Sequence, residues 1–241
     1  MISVKNLSIG FDQKIIHKDV SFDVAEGECV GLLGGSGAGK SVILRSLIGL
    51  EKIYSGEIKI EDEIVSNYKE NDWIKIRKKV AYVFQNGALF DSMSVFDNIA
   101  YPLREHTTLT ETEIYNQIIT LLNDFNLPNI HERLPSQLSG GMQKRVGLAR
   151  AIIMSPKVIL YDEPTAGLDP ANTVKIQQLI LKLKDKGTTS ILVTHDMETA
   201  INVCDRICLL HEGVIAESGM VKEIKSDANS FLQRFIRGYY E

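Results

Sequence analysis

A chain of 241 residues, 44% hydrophobic and 24% charged, is long enough to bury one sizeable core, alone or with an inserted subdomain. Its formal net charge of -4 argues against a bulk nucleic-acid partner, and no stretch approaches the ~18 apolar residues of a membrane span, so any membrane role falls to a partner. Cys29, Cys204 and Cys208 lie in or beside apolar segments without metal-ligand spacing and read as core thiols of a reducing compartment, and Met1 to Lys5 opens no signal-peptide pattern.

In chain order, Ile2, Val4 and Leu7 to Ile9 alternate with polar neighbours, and Val20 to Val24 alternates again. This predicts two strands joined by a turn at Gly10, Phe11 and Asp12. The apolar run Cys29 to Leu33 reads as a short buried strand. It is followed by Gly34-Gly35-Ser36-Gly37-Ala38-Gly39-Lys40-Ser41 and then by the apolar helix start Val42-Ile43-Leu44. That is the G-x-x-x-x-G-K-[ST] spacing in its strand–loop–helix setting. Glycines allow backbone N–H groups to turn inward around phosphate oxygens, and the helix points its positive end at the same anion. Lys40 reaches the outer phosphates and Ser41 offers a hydroxyl to Mg²⁺. Ahead of such a loop, Phe11 becomes a candidate flat surface for an adenine base.

The helix is predicted to end near Gly49, with a further strand over Gly56 to Ile60 and a short amphipathic piece at Trp73 and Ile74. The next strand, Lys79 to Phe84, delivers Gln85, whose amide would meet Mg²⁺ or the attacking water. Residues 86–137 differ in character. Leu89, Phe90 and Met93 crowd a turn after Asn86-Gly87. Val95 to Tyr101 is plausible helix stopped near Pro102. Thr110-Glu111-Thr112-Glu113 fits a capping box ahead of Ile114, Ile118, Leu121, Leu122 and Phe125 at helical spacing.

Ser139-Gly140-Gly141 opens a long helix with Ser139 as N-cap. Taken alone it is a weak signal. Val158 to Tyr161 is a buried strand ending in Asp162-Glu163, two carboxylates that are costly there unless something positive meets them. Asp162 suits Mg²⁺, and Glu163 suits polarisation of the water that attacks a γ-phosphate. Ile176, Leu179, Ile180 and Leu183 mark an amphipathic helix. Thr188 to Thr194 is another strand, ended by His195: a polar cap taken alone, a γ-phosphate sensor if it stands beside a third phosphate. Arg206 to Leu210 and Val214 to Ala216 read as a hairpin across Glu212-Gly213. Phe231, Leu232, Phe235 and Ile236 give helical spacing to the tail.

Taken together, these stretches resemble the nucleotide-binding subunit of ATP-binding cassette transporters over nearly the whole chain. Residues 34–41 match the phosphate loop, Gln85 the Q-loop, and Leu138 to Met142 (LSGGM) the signature. Val158 to Glu163 (VILYDE) matches the Walker B strand, Ala166 to Asp169 the D-loop, and His195 the switch histidine. Phe11 falls at the adenine-stacking aromatic. Met142 stands where many members have glutamine. The resemblance implies an α/β fold: a P-loop NTPase core with an antiparallel β subdomain and an inserted α-helical subdomain. Residues 1–241 would form one domain, with the helical part opening in 86–137 and continuing into the signature helix, and a helical tail over 220–241. ATP would be bound by Phe11, Gly34, Gly35, Ser36, Gly37, Ala38, Gly39, Lys40, Ser41, Val42, Gln85, Ser139, Gly140, Gly141 and Asp169. Mg²⁺ would be held by Ser41, Gln85 and Asp162, and Glu163 and His195 would be catalytic. A second copy would pair head to tail around ATP, and separate membrane permease subunits would carry the cargo. The subunit would then be peripheral at the cytoplasmic face of the inner membrane, and soluble when isolated.

Asn86 to Glu105 and Leu134 to Ile152 also resemble the ATPases of lipid-asymmetry systems of the Mla and Mce type. This implies phospholipid transport between inner and outer membranes, with an MCE-domain lipid-binding partner. Two other readings stand beside it: an importer ATPase for amino acids or another small polar solute, and a non-transport regulator of cell-envelope processes. Ribosomal relatives carry two cassettes and DNA-repair relatives long coiled coils, and neither is present in this sequence.

Overall fold

The computed structural model describes residues 1–11, 14–224 and 234–235. The chain opens with two strands, β1 (Ile2–Phe11) and β2 (Lys14–Val24). It then crosses to β3 (Cys29–Gly34) and passes through the glycine loop into α1 (Lys40–Ser46). It returns as β4 (Ile53–Ile60) and β5 (Glu63–Ile64), then α2 (Glu70–Lys79) and β6 (Val80–Val83). Three helices follow: α3 (Val95–His106), α4 (Glu111–Asp124) and α5 (Gly140–Ile152). The rest is β7 (Val158–Asp162), α6 (Pro170–Asp185), β8 (Thr189–Val193), α7 (Met197–Val203), β9 (Arg206–His211), β10 (Val214–Met220) and the short α8 (Val221–Ile224).

One sheet is antiparallel, in the order β2-β1-β4-β5. The other runs β10-β9-β3-β8-β7-β6, parallel except for β10 at its edge. Every residue of β3, β7 and β8 is buried, which is why these strands read as unbroken apolar runs. Successive side chains serve opposite faces. Leu33, Tyr161 and Leu192 join a core shared with α3 to α7, while Leu32, Leu160 and Ile191 join a core shared with α1 and the antiparallel sheet. Because β3, β6, β7 and β8 are parallel, the loops that leave them gather at one edge, where α/β sheets place their ligands.

The fold is the α/β arrangement expected: a P-loop NTPase core with an antiparallel sheet and added helices. Some boundaries differ from the sequence reading. Gly10 and Phe11 belong to β1, paired with Ile15 and Lys14, because a Cβ on Gly10 would lie 2.2 Å from the Lys14 carbonyl oxygen. Pro102 does not stop α3, which continues to His106. Its lost N–H costs one backbone bond. Against that, Leu103 is buried, and Arg104 binds Asp97 at 3.0 Å and Glu111 at 2.7 Å, tying the far end of α3 to its own first turn and to α4. Thr110 and Glu113 form the capping box of α4. The helical spacing of Phe231, Leu232 and Ile236 lies outside the described residues; Phe235 is buried.

Candidate functional site

The loop after β3 is shaped by what its glycines permit. Gly39 sits in the left-handed region at φ 81 and caps α1 without a side chain, so the first N–H groups of the helix are left for an outside anion. A Cβ at Gly35 or Gly37 would meet nothing within 4 Å, so the loop borders open space. Ser36 is exposed, Ala38 donates its N–H to the Gly35 carbonyl at 3.2 Å, and the Val42 side chain packs on the core. Lys40 is buried, and its Nζ donates to the carbonyl oxygens of Gly34 and Gly35, each at 2.9 Å. The ammonium thus lies over the loop it serves. Burial pulls its pKa down, against the opposing pull of Glu163 and Asp162.

Next to the loop, Ser41 donates its hydroxyl to Asp162 Oδ1 at 2.6 Å, and Tyr82 donates to Asp162 Oδ2 at 2.7 Å. The carboxylate is buried at the end of β7, and these two donors hold it. Desolvation, then the hydrogen bond to Asp162 and its charge, pushes the Tyr82 phenol well above its usual range, so it stays a donor. Gln85 is exposed. Val83 of β6 pairs with Tyr161 of β7, so Gln85 leaves its strand level with Asp162 and Glu163. A hydroxyl, a carboxylate and an amide oxygen are hard donors that fit Mg²⁺, which takes its remaining ligands from phosphates and water.

Glu163 has φ 50, a left-handed backbone for a residue with a full side chain. Its N–H donates to the Val193 carbonyl at 2.9 Å, which locks it at the β7–β8 junction. Its Oε2 lies 2.9 Å from His195 Nδ1, and the His195 backbone N–H approaches the same oxygen at 3.4 Å. A carboxylate held on strained backbone and oriented by an imidazole is an arrangement typical of a functional site.

The second group of expected residues is placed separately. Ser139 caps α5 by accepting from the Met142 N–H at 3.3 Å, and Ser139 and Gly140 are exposed. Among the described residues, no hydrogen bond of Ser139, Gly140 or Gly141 reaches residues 34–42. Asp169 caps α6, accepting from the Asn172 N–H at 2.9 Å, and Asn172 packs so closely on Gly141 that a Cβ there would lie 2.7 Å from its Cγ. Lys144 of α5 donates to the Ala166 carbonyl and feels the Glu163 charge, so α5 is tied to the loop after β7. Phe11 is 43% exposed at the end of β1, open to a flat ligand.

The segment after Gln85 is fastened to α5. A Cβ on Gly147 would come within 2.7 Å of the Gly87 backbone, and Arg150 donates to the Ala88 carbonyl at 2.7 Å. Buried Asn98 holds the turn: its Oδ1 accepts from the Phe90 N–H at 2.8 Å, and its Nδ2 faces the carbonyls of Phe90, Met93 and Ser94 at 3.0 to 3.1 Å. Leu89 packs against the core; the exposed members are Phe90 and Tyr101, each 44% exposed, with ring centroids 5.6 Å apart. Tyr82, Asn98, Lys144 and Arg150 were not singled out from sequence. A polar residue two positions before the end of an apolar strand was the one available signal for Tyr82.

The chain is similar to several known proteins. The family described as ABC transporter matches residues 17–166. The methionine import ATP-binding protein MetN of Campylobacter jejuni is 35% identical, over 98% of this chain and 75% of that protein. The probable ribonucleotide transport ATP-binding protein mkl of Mycobacterium leprae is 38% identical, over 98% of this chain and 69% of that one. The dimeric structure of the ATP-binding cassette MJ0796 in a post-hydrolysis state with ADP and Pi superimposes with a TM-score of 0.85. It is 32% identical and covers 92% of this chain and 99% of that chain.

Proposed function

The chain belongs to the ABC transporter family of ATP-hydrolysing cassettes, and from that membership we propose that it is the motor subunit of a membrane importer for a small polar solute. Its cofactors are ATP and Mg²⁺. In this reading Lys40 and those N–H groups of 34–42 that the loop does not itself engage hold the phosphates, and Phe11 carries the base; the Ala38 and Val42 N–H groups are taken by the Gly35 and Gly39 carbonyls. Ser41, Asp162 and Gln85 hold Mg²⁺, which when bound neutralises phosphate charge. Glu163 accepts a proton from the attacking water, and His195 keeps its carboxylate aimed. The observation that carries the reading is the left-handed Glu163, 2.9 Å from His195, at the edge where Lys40 and Asp162 lie. Phosphate release by Glu163→Gln tests it: nucleotide binding is kept and turnover is lost.

The partner copy is inferred from α5. Among the described residues, no hydrogen bond joins its capped, exposed start to the loop 34–42, and a head-to-tail dimer would bring ATP to it. Cargo is inferred from the relatives, which name methionine and ribonucleotide at similar identity. A permease would then choose the solute, docking at the Phe90 and Tyr101 surface. A second reading, phospholipid transport with an MCE-domain partner, is favoured by the sequence of Asn86 to Glu105. Reconstitution with native membrane partners separates them. Uptake of labelled solute with its binding protein supports import, and ATP-dependent movement of labelled phospholipid transfers the assignment to the lipid system. Under either reading the subunit would be held peripherally at the membrane by its permease. Among the described residues no helix is long and apolar enough to cross a membrane.

A further inference from the structure

His17 belongs to no motif, yet it is the one side chain from the antiparallel sheet with a hydrogen bond to the glycine loop among the described residues. It is 0% exposed on β2, paired with Ile9 of β1. Its Nε2 is 3.0 Å from the Gly39 carbonyl oxygen. A carbonyl only accepts, so Nε2 carries the hydrogen. The fit beneath the loop is close. A Cβ on Gly39 would stand 2.5 Å from Nε2 and 2.9 Å from Cε1, so the imidazole fills the space that the left-handed glycine leaves free. The imidazole also lies near the Gly213 backbone, in the turn between β9 and β10, which pulls its pKa upward as Gly39 does, although Nδ1 has no partner in hydrogen-bond geometry. That turn is itself pinned on β2, where the Lys18 N–H donates to the Gly213 carbonyl at 3.0 Å. The ring hydrogen bond of ordinary length and geometry is the one to Gly39.

The Gly39 carbonyl also accepts the N–H groups of Val42 at 2.9 Å and Ile43 at 3.3 Å, the first turn of α1. The peptide joining Gly39 to Lys40 is planar and trans, so its C=O and N–H point in opposite directions. Fixing the carbonyl on His17 and on the helix fixes the Lys40 N–H on the side away from His17, and with it the start of the Lys40 and Ser41 side chains. We propose that His17 is a positioning residue for the nucleotide: its Nε2–H holds the peptide between Gly39 and Lys40 in the orientation that receives phosphate, and links that orientation to the sheet bearing Phe11. The proposal rests on the reading of residues 34–42 as the ATP loop.

The test uses the full chain with two substitutions, His17→Leu and His17→Gln. Glutamine keeps an N–H donor able to reach the Gly39 carbonyl, and leucine fills the space without one. The probe is an N-methylanthraniloyl ATP with Mg²⁺, titrated by fluorescence, beside thermal melting without nucleotide. His17→Leu is expected to raise Kd about three- to tenfold, the worth of one neutral hydrogen bond, and His17→Gln to return it to within about twofold of the parent. In ATPase assays the leucine variant raises KM and leaves kcat nearly unchanged, since no reacting group is altered. Equal affinity in all three proteins overturns the proposal. So does an affinity loss in both variants that follows a lost melting temperature, which would mark His17 as packing only. Should neither variant fold, the imidazole ¹⁵N spectrum of the parent decides. An Nε2–H resonance that shifts with the Mg²⁺–ATP analogue supports the role, and one indifferent to it overturns the role. If the parent itself fails to bind the probe, the ATP-loop reading fails instead, a different result.

Discussion

At the start of α1 the chain supplies nearly everything that an anion needs; at the start of α5 it supplies a helix end and little else. Around α1 stand Lys40 on the loop carbonyls, Ser41 on Asp162, Tyr82 behind Asp162, and His17 under Gly39. Around α5, Ser139 caps its own helix, and Gly140 has open space where a Cβ would stand. Lys144 turns to Ala166, and Arg145 to the carbonyls of Gly141, Phe125 and Asn126. Two glycine-led helix starts in one chain, one furnished and one bare, are what a site shared between two copies requires. In the proposed head-to-tail pair, each copy would bring the furnished half for one nucleotide and the bare half for the other.

The sharpest way to break this comparison is to disable chemistry in the furnished half alone. Glu163→Gln should lower ATP turnover by about 10²- to 10⁴-fold, the usual worth of a general base, while the fluorescent-ATP Kd stays near the parent value. With ATP the variant should elute as a dimer on gel filtration. Turnover at the parent rate would remove Glu163 from the mechanism. The complementary change is Ser139→Arg, which fills the bare half. Nucleotide affinity of the monomer should hold within about twofold, and hydrolysis should fall by about 10²-fold, as when an anion-stabilising donor is lost. A collapse of monomer affinity would place Ser139 at its own chain's nucleotide and end the shared-site reading.

Tyr82→Phe tests how the furnished half is built. Asp162 would lose one of its two donors, and a hydrogen bond to a charged group is worth about 1.5–3 kcal/mol. The expected result is a tenfold or greater rise (~) in the Mg²⁺ concentration for half-maximal ATPase, with ATP binding in the absence of Mg²⁺ nearly unchanged. A shift in nucleotide affinity without any shift in Mg²⁺ dependence would show that Tyr82 acts elsewhere. Asn98→Ala moves the comparison to the segment that joins the halves. The Phe90 N–H and the Met93 carbonyl lose their Asn98 bonds, while the Phe90 and Ser94 carbonyls keep the Met93 and Asn98 N–H groups; the cost is about 1–3 kcal/mol, or roughly 2–4 °C of Tm for each kcal/mol. Melting curves measure this directly.

What could be read from sequence follows from how local each feature is. The loop 34–41 and the pair Asp162-Glu163 are contiguous and sit at ends of apolar strands, so spacing alone placed them. Asp162 and Tyr82 are 80 residues apart, and His17 and Gly39 are 22 apart; only the registers of β6 on β7 and of β2 over the loop bring them together. Pro102 was misjudged for the same reason. The rule that proline ends a helix is local, whereas Arg104 spans from Asp97 to Glu111 and buried Leu103 anchors the turn beyond it. Leu89 and Phe90 are adjacent and equally apolar, and sequence could not say which one the core would take.

The smallest expected effect concerns His17 and acidity. Burial holds its pKa below the ordinary imidazole value, against the pull of the Gly39 and Gly213 backbone. In the unfolded chain it titrates near 6.5, so below that pH the unfolded state binds more protons than the folded state. The contribution to stability is therefore complete above about pH 6.5 and is lost as pH falls toward the folded pKa. The sequence holds four histidines besides His17, so the parent's pH profile alone assigns nothing. The difference between parent and His17→Gln does. Glutamine does not titrate, and the variant should lose less Tm than the parent between pH 7 and pH 5, both measured without nucleotide. Superimposable profiles would mean that the imidazole is as free to take a proton in the folded chain as outside it.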